Sequence, residues 1–233
     1  TKAFIFDVLV QLGTLVAVIA CFWKDLVAIF KAVIAGIRSK KPLEEANSRL
    51  GWYIVLATIP AGLGGLLLKS KVEAAFSSPV LTAVLLFVTA VILTLAEIFS
   101  RKQRDLESIT PKDAIVIGFS QLLAIFPGIS RSGATISGGL SRGLKREAAA
   151  RFSFLMSIPI MLAAGLLSVL DLVKIPDLGG FLPIILVGFI VALVVGYLSI
   201  RWLLNFLKSR SLIPFAVYCA VVSVLTIFIA YFR

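Results

Sequence analysis

Pro127-Gly128-Ile129-Ser130-Arg131-Ser132-Gly133-Ala134-Thr135-Ile136-Ser137-Gly138-Gly139 is the stretch on which the placing of the whole chain turns. It sets one arginine and four hydroxyls within residues 130–137, inside an otherwise apolar sequence. The residues before it, 112–126, are apolar with a helical pattern. Thr110 suits an N-cap, Pro111 the first helical position, and Asp113 follows two residues later. At about 1.5 Å per residue that segment reaches about 22 Å, short of a hydrocarbon core of about 30 Å. Pro127-Gly128 then stops the helix, and the polar run that follows cannot face lipid. The pattern predicts a re-entrant helical hairpin over about 111–141 that dips in and returns to its own side.

Composition supplies the membrane. Of 233 residues, 60% are hydrophobic and 15% charged, with a mean hydropathy of +1.06. A soluble domain runs near 45–50% apolar and about 25% charged, so the excess apolar surface needs lipid rather than a larger core. Long apolar runs predict six full spans: about 4–23 (with a possible continuation to 37), 51–68, 79–99, 146–170, 181–207 and 212–232. The expected fold is therefore an all-α membrane protein, six transmembrane helices plus one re-entrant hairpin, in a single domain covering 1–233. Cys21 and Cys219 lie inside apolar spans without paired spacing and are expected to be packing residues.

Charge distribution tests the hairpin. With 111–141 re-entrant, the loops 38–50, 100–112, 142–151 and 208–211 share one face and hold fourteen Lys and Arg. Lys2, Lys69, Lys71, Lys174 and Arg233 are the five on the other. That bias marks the basic face as cytoplasmic, and letting 111–141 cross would blur it. The net charge of +11 thus reports orientation, and nucleic acid is not an expected partner. A homodimer is compatible with the chain.

A faint internal repeat appears when the chain is slid by 146 residues: Phe6 falls on Phe152, Leu9 on Leu155, Ala17 on Ala163, and Asp25-Leu26 on Asp171-Leu172. Residues 1–100 then form a truncated first repeat and 101–233 a second, with inverted topology as in many transport folds. The counterpart of residues 121–137 would fall before Thr1, so a first hairpin is expected to be missing from this sequence.

Residues 127–139 are also where chemistry is expected. An arginine at membrane depth costs about 2.5–3.5 kcal/mol on insertion scales and so marks a function. Guanidinium matches phosphate oxygens in a fork. Ser130 stands where a second short helix would begin, directing backbone N–H groups at the same place. Gly128 and Gly133 permit close backbone approach, and Ser130 and Ser132 flank Arg131. Gln121, ten residues before Arg131 and polar amid Leu122 and Leu123, is expected to face this cradle. The rival reading is packing alone, since Gly133, Ala134, Ser137 and Gly138 have the small-residue spacing of close helix contacts. Asp7, Glu97 and Asp171 are expected at the membrane interface. Glu147 and Arg151, four apart, are expected to pair.

The run Gln121–Gly139 resembles the second signature of the undecaprenyl-diphosphate phosphatase family, the bacitracin-resistance proteins. Residues 4–23 and the tail Ser211-Leu212-Ile213-Pro214-Phe215-Ala216-Val217-Tyr218 are similar to that family too. The resemblance covers essentially the whole chain. It implies a bacterial inner-membrane hydrolase that converts undecaprenyl diphosphate to the monophosphate carrier lipid of cell-wall synthesis. It also implies a site open to the periplasm and an associated divalent cation, Mg or Ca. Carried over by position, Arg131 binds the diphosphate, Ser130 and Thr135 hydrogen-bond it, and Gln121 lines the site. The family's Glu-rich, histidine-containing first signature has no match in this chain, which has no histidine. On this reading the nucleophile and base lie outside it, and the chain alone binds diphosphate but turns it over poorly. A transporter or flippase of polyprenyl phosphate lipids is the competing expectation, because broken helices and inverted repeats are transporter architecture.

Overall fold

A computed structural model describes residues 2–172 and 182–232, with residues 2–9, 164, 167–172, 182, 184 and 185 described for their backbone alone. Ten α-helices follow one another: α1 (Lys2–Cys21), α2 (Trp23–Arg38), α3 (Ala46–Leu67), α4 (Lys69–Phe76), α5 (Pro79–Phe99), α6 (Pro111–Leu123), α7 (Arg131–Ser141), α8 (Arg146–Leu172), α9 (Leu182–Ser209) and α10 (Ile213–Tyr231). Among the described residues no strand forms, and a single isolated bridge pairs Arg104 with Leu144. The protein is an all-α membrane protein. Helices α3, α5, α9 and α10 are each long and apolar enough to cross a bilayer, and α1 with α2 makes a fifth, broken candidate. These are the expected spans at 51–68, 79–99, 181–207 and 212–232. The expected spans at 4–23 and 146–170 are helical as α1 and α8, each with part of its length outside the described side chains.

The continuation of the first span to residue 37 is corrected: the chain turns by 74° between α1 and α2. No proline or glycine marks the corner. Phe22 is buried there and stacks on Phe154 of α8, ring centroids 5.9 Å apart. Beyond it, α2 buries Ile29, Ala32 and Gly36, and Ile29 and Val33 press on α3 where Gly51 leaves room for them. A straight continuation would lose that packing.

The hairpin forms as expected and its two ends meet. Thr110 caps α6 in a reciprocal capping box with Asp113. Helices α6 and α7, of 13 and 11 residues, reach about 20 and 16 Å, and neither can span alone. Asp113, with a fully buried side chain, accepts from Arg142 Nε at 2.8 Å and from the Arg104 fork at 3.2 and 2.7 Å. Arg104 Nη1 also donates to the Arg142 carbonyl at 2.9 Å. Entrance and exit are thus clasped together, as a re-entrant segment requires. Burial alone would raise the Asp113 carboxyl; the hydrogen bonds from Arg104, Arg142 and Thr110 more than offset it and hold it at about 2. Helix α7 runs alongside α5 in the same direction. Its start lies against Thr89, where the Ser130 N–H reaches Thr89 Oγ1 at 3.1 Å, and its end lies against Ser100, whose hydroxyl donates to the Leu140 carbonyl at 2.5 Å.

One expected charge pairing is corrected, and a second charge gains its partners. Glu97 lies near the loop-side end of α5 and is buried there. It pairs with Arg146 and Lys102 and accepts the Leu212 N–H at 3.2 Å, tying α5 to the starts of α8 and α10. Arg151 pairs across the fold with Asp25, at 3.0 and 3.1 Å, rather than with Glu147, because the α1–α2 corner brings a carboxylate to it. Asp7 and Asp171 lie outside the described side chains. Replacing Asp113 by Asn removes the charge that both guanidinium groups share. Losing one partner of a buried pair costs about 3–5 kcal/mol, and the partial exposure of Arg104 and Arg142 reduces this to roughly 2–3 kcal/mol. Thermal unfolding in detergent should show the D113N protein melting well below the wild type.

Candidate anion-binding site at the hairpin tip

The break between α6 and α7 interrupts helical hydrogen bonding, so backbone groups there need partners from other elements. Thr89 of α5 supplies two of the missing partners. Its hydroxyl donates to the Gly128 carbonyl at 3.2 Å and accepts the Ser130 N–H at 3.1 Å. Gly128 has φ +93°, and a Cβ there would collide with the Thr82 carbonyl of α5, so only glycine fits. Ser130 then caps α7, its Oγ accepting the Gly133 N–H at 3.1 Å. Gly133 is tight as well: a Cβ would sit 3.1 Å from Ser130 Oγ and 3.2 Å from Thr89 Cγ2.

This arrangement carries Arg131 on the first turn of α7, partly buried, about 15 Å from the loop end of that helix at about 1.5 Å per residue. The loop-side guanidinium groups of Arg104, Arg142, Arg146 and Arg151 all pair with carboxylates. Among the described residues the Arg131 side chain has no such partner. The N–H groups of Arg131 and Ser132, the first two helical positions, likewise find no acceptor among the described residues. A cation and two N–H donors at the positive end of a helix dipole are the features that an anion site requires.

The remaining expected residues divide. Ser132 is partly buried beside Arg131 and makes no side-chain bond among the described residues. Thr135 is buried, its hydroxyl donating to the Arg131 carbonyl at 2.8 Å and lying 2.6 Å from Ser153 Oγ of α8. It braces the first turn from behind. Gln121 is buried, and neither of its amide atoms has a partner. Its face of α6, shared with Ile117 and Gly118, packs on α3, where a Cβ at Gly118 would meet the Ala57 carbonyl. Sequence reasoning did not find Thr89 or Ser153. Each is an ordinary hydroxyl in an apolar helix, and only the fold sets it opposite the hairpin. Among the described residues no three His, Cys, Asp or Glu side chains converge on a cation position.

A broken-helix membrane protein with an anion cradle at depth is the class that this geometry defines. Within it, the chain belongs to the bacitracin resistance protein BacA family, whose model matches residues 1–225. It is similar to an undecaprenyl-diphosphatase of Methanosphaera stadtmanae, 40% identical over 97% of this chain and 84% of that one. A second undecaprenyl-diphosphatase, from Mycolicibacterium smegmatis, is 41% identical over 95% of this chain and 81% of that one. A third, from Corynebacterium striatum, is 44% identical over 91% and 76%.

Thr89→Val keeps the shape but withdraws both bonds from the hairpin tip, at about 1–3 kcal/mol for groups left bare. Ligand binding at the tip, or turnover, should fall severalfold, and Thr89→Ser should restore it. A loss in the Ser variant with none in the Val variant would show that the methyl group, not the hydroxyl, matters.

Proposed function

We infer that this protein hydrolyses undecaprenyl diphosphate to undecaprenyl phosphate and inorganic phosphate. The observation that carries the reading is Arg131: a guanidinium on the first turn of α7 that, among the described residues, has no carboxylate to neutralise it. Family membership and the names of the relatives supply the substrate.

A diphosphate headgroup suits the cradle. The Arg131 fork takes two phosphoryl oxygens, the Arg131 and Ser132 N–H groups take a third, and the Ser130 and Ser132 hydroxyls donate alongside. Negative charge gathers on the phosphoryl oxygens as the anhydride bond breaks, and a fixed cation in a low-dielectric site stabilises it. Gly128 and Gly133 let the headgroup approach the backbone, and Thr135 fixes the helix turn that aims Arg131. Gln121, buried with a free amide, supports the reading as a further polar lining group. Ser130 is assigned to binding rather than attack. Its Oγ already accepts the Gly133 N–H, and no described group stands near it as a base. Magnesium or calcium would add a further countercharge, but the described residues do not make its site: Asp113 and Glu97 are both engaged by basic side chains.

The basic loops are assigned to the cytoplasm and the site to the periplasmic side of a bacterial inner membrane. The fourteen-to-five charge bias supports this, as does the contact of the tip with Thr82, close to the other end of α5. The two-repeat organisation finds support in the order of the long helices, α1, α3 and α5 before the hairpin and α8, α9 and α10 after it.

Phosphate release from a polyprenyl diphosphate in detergent, with no gradient across a membrane, tests the enzyme reading against transport. Arg131→Ala should lower the rate by about 10²–10³-fold. Helix content should stay unchanged and the melting temperature should hold or rise, since among the described residues no protein group pairs with the side chain. Wild-type turnover by the Ala variant would end the proposal.

A further inference from the structure

The site so far accounts for a headgroup, yet a polyprenyl diphosphate is mostly hydrocarbon, and part of that chain must lie somewhere against the protein. One cavity lies directly below the cradle. It has a volume of about 460 Å³ and is enclosed by α5, α6 and α7. Its walls are two stripes that begin at the headgroup residues. On α7, Ser130 is followed at helical spacing by Ala134, Ser137 and Ser141. On α5, Thr89, which clamps the tip, is followed by Ile92, Ala96 and Phe99. The groove therefore starts one helical turn from Ser130 and descends about 10 Å along α7 towards the loop face.

Its hydroxyls do not make it polar. Ser120 Oγ donates to the Val116 carbonyl at 3.0 Å, Ser141 to Gly138 at 2.7 Å, and Ser100 to Leu140 at 2.5 Å. Each is turned back onto helix backbone, so the surface offered is mainly hydrocarbon. Ser137 is the exception, buried with an unpartnered Oγ against the cavity. The rim residues Leu95, Phe99 and Leu123 are exposed, so at this depth the groove opens sideways into the lipid rather than to water. A site that opens to lipid and leads into a phosphate cradle fits a diphosphate whose leaving side carries an apolar chain.

Resting on the reading of the cradle as a diphosphate site, we propose that this groove holds the first isoprene units of the substrate and sets the chain-length requirement of the enzyme. The occupant is the substrate's own tail. A resident acyl chain of a neighbouring phospholipid would fill the same space without linking it to the headgroup.

The test compares a five-carbon prenyl diphosphate with a fifteen-carbon one on the wild type and on two groove-filling variants, Leu95→Trp and Ala96→Phe. Neither residue belongs to the cradle. Phosphate release is measured, and so is binding of the corresponding non-hydrolysable methylene diphosphonates. Wild type should favour the fifteen-carbon chain. Each variant should lose about tenfold or more of that preference, in kcat/KM and in Kd, because a few buried methylenes are worth that much. The five-carbon compound should be handled as before. Equal losses on both chain lengths, or no loss in either variant, would overturn the groove assignment and point to an ordinary lipid chain there. If the wild type binds the diphosphonates with the expected chain-length pattern but releases no phosphate, the groove stands and the phosphatase reading falls.

Discussion

A helix broken in the middle of a membrane leaves carbonyl and N–H groups where hydrocarbon cannot satisfy them, and the hairpin of this protein is built around meeting that constraint. The Pro127-Gly128 break would strip several backbone groups of partners. One threonine hydroxyl on α5 donates to the carbonyl on one side of the break and accepts the N–H on the other. The next free donor, Gly133 N–H, is taken by Ser130. Among the groups left open are the first two N–H groups of α7, with the Arg131 fork beside them. An anion at that point would complete this part of the break.

The charges follow the same division. Along the loop face each acidic group that ties elements together meets basic side chains: Asp113 with Arg104 and Arg142, Glu97 with Arg146 and Lys102, Asp25 with Arg151. Those clusters fix the ends of α5, α6, α7, α8 and α10 relative to one another. Because that carboxylate inventory is used near the loops, none is left beside Arg131 among the described residues. An arginine paired with an aspartate would be easier to bury but would repel the phosphate it has to bind. Leaving the charge uncompensated costs stability and creates affinity for an anion.

Much of this was legible because it is local. The capping box of α6, the Pro-Gly stop, the small glycine-rich α7 and the spans at α3, α5, α9 and α10 all follow from neighbours in sequence, and Arg131 stood out through the rarity of arginine at such depth. The parts that were not legible depend on residues far apart in the chain. Thr89 looks like Thr82 or Thr94 until the tip is laid against it. The Arg151 partner could not be found by spacing, since Asp25 is 126 residues away and reaches it only through the corner at Phe22. That corner itself carries no breaker residue. It is imposed by packing of Phe22 on Phe154 and of α2 on α3, which a one-dimensional pattern does not contain. Glu97 was expected at the interface because it sits near a helix end, but the three donors that converge on it there come from other elements.

The way the hairpin is held also bears on the choice between chemistry and transport. Alternating access needs one half of the fold to rock against the other around a fixed site, so the elements bearing the site should be loosely tied to their surroundings. Here the hairpin is clasped at its base through Asp113, pinned at its tip through Thr89, braced by Ser153 behind Thr135, and packed without space for a Cβ at Gly118 against α3 and at Gly139 against Ala149 of α8. Moving it would break several of these contacts at once, and each leaves a polar group bare in hydrocarbon or opens a packed face. Stabilising a developing phosphoryl charge has the opposite demand, because donors act at least cost when they do not reorganise. A rigid hairpin with one unsatisfied end meets the second demand and fails the first.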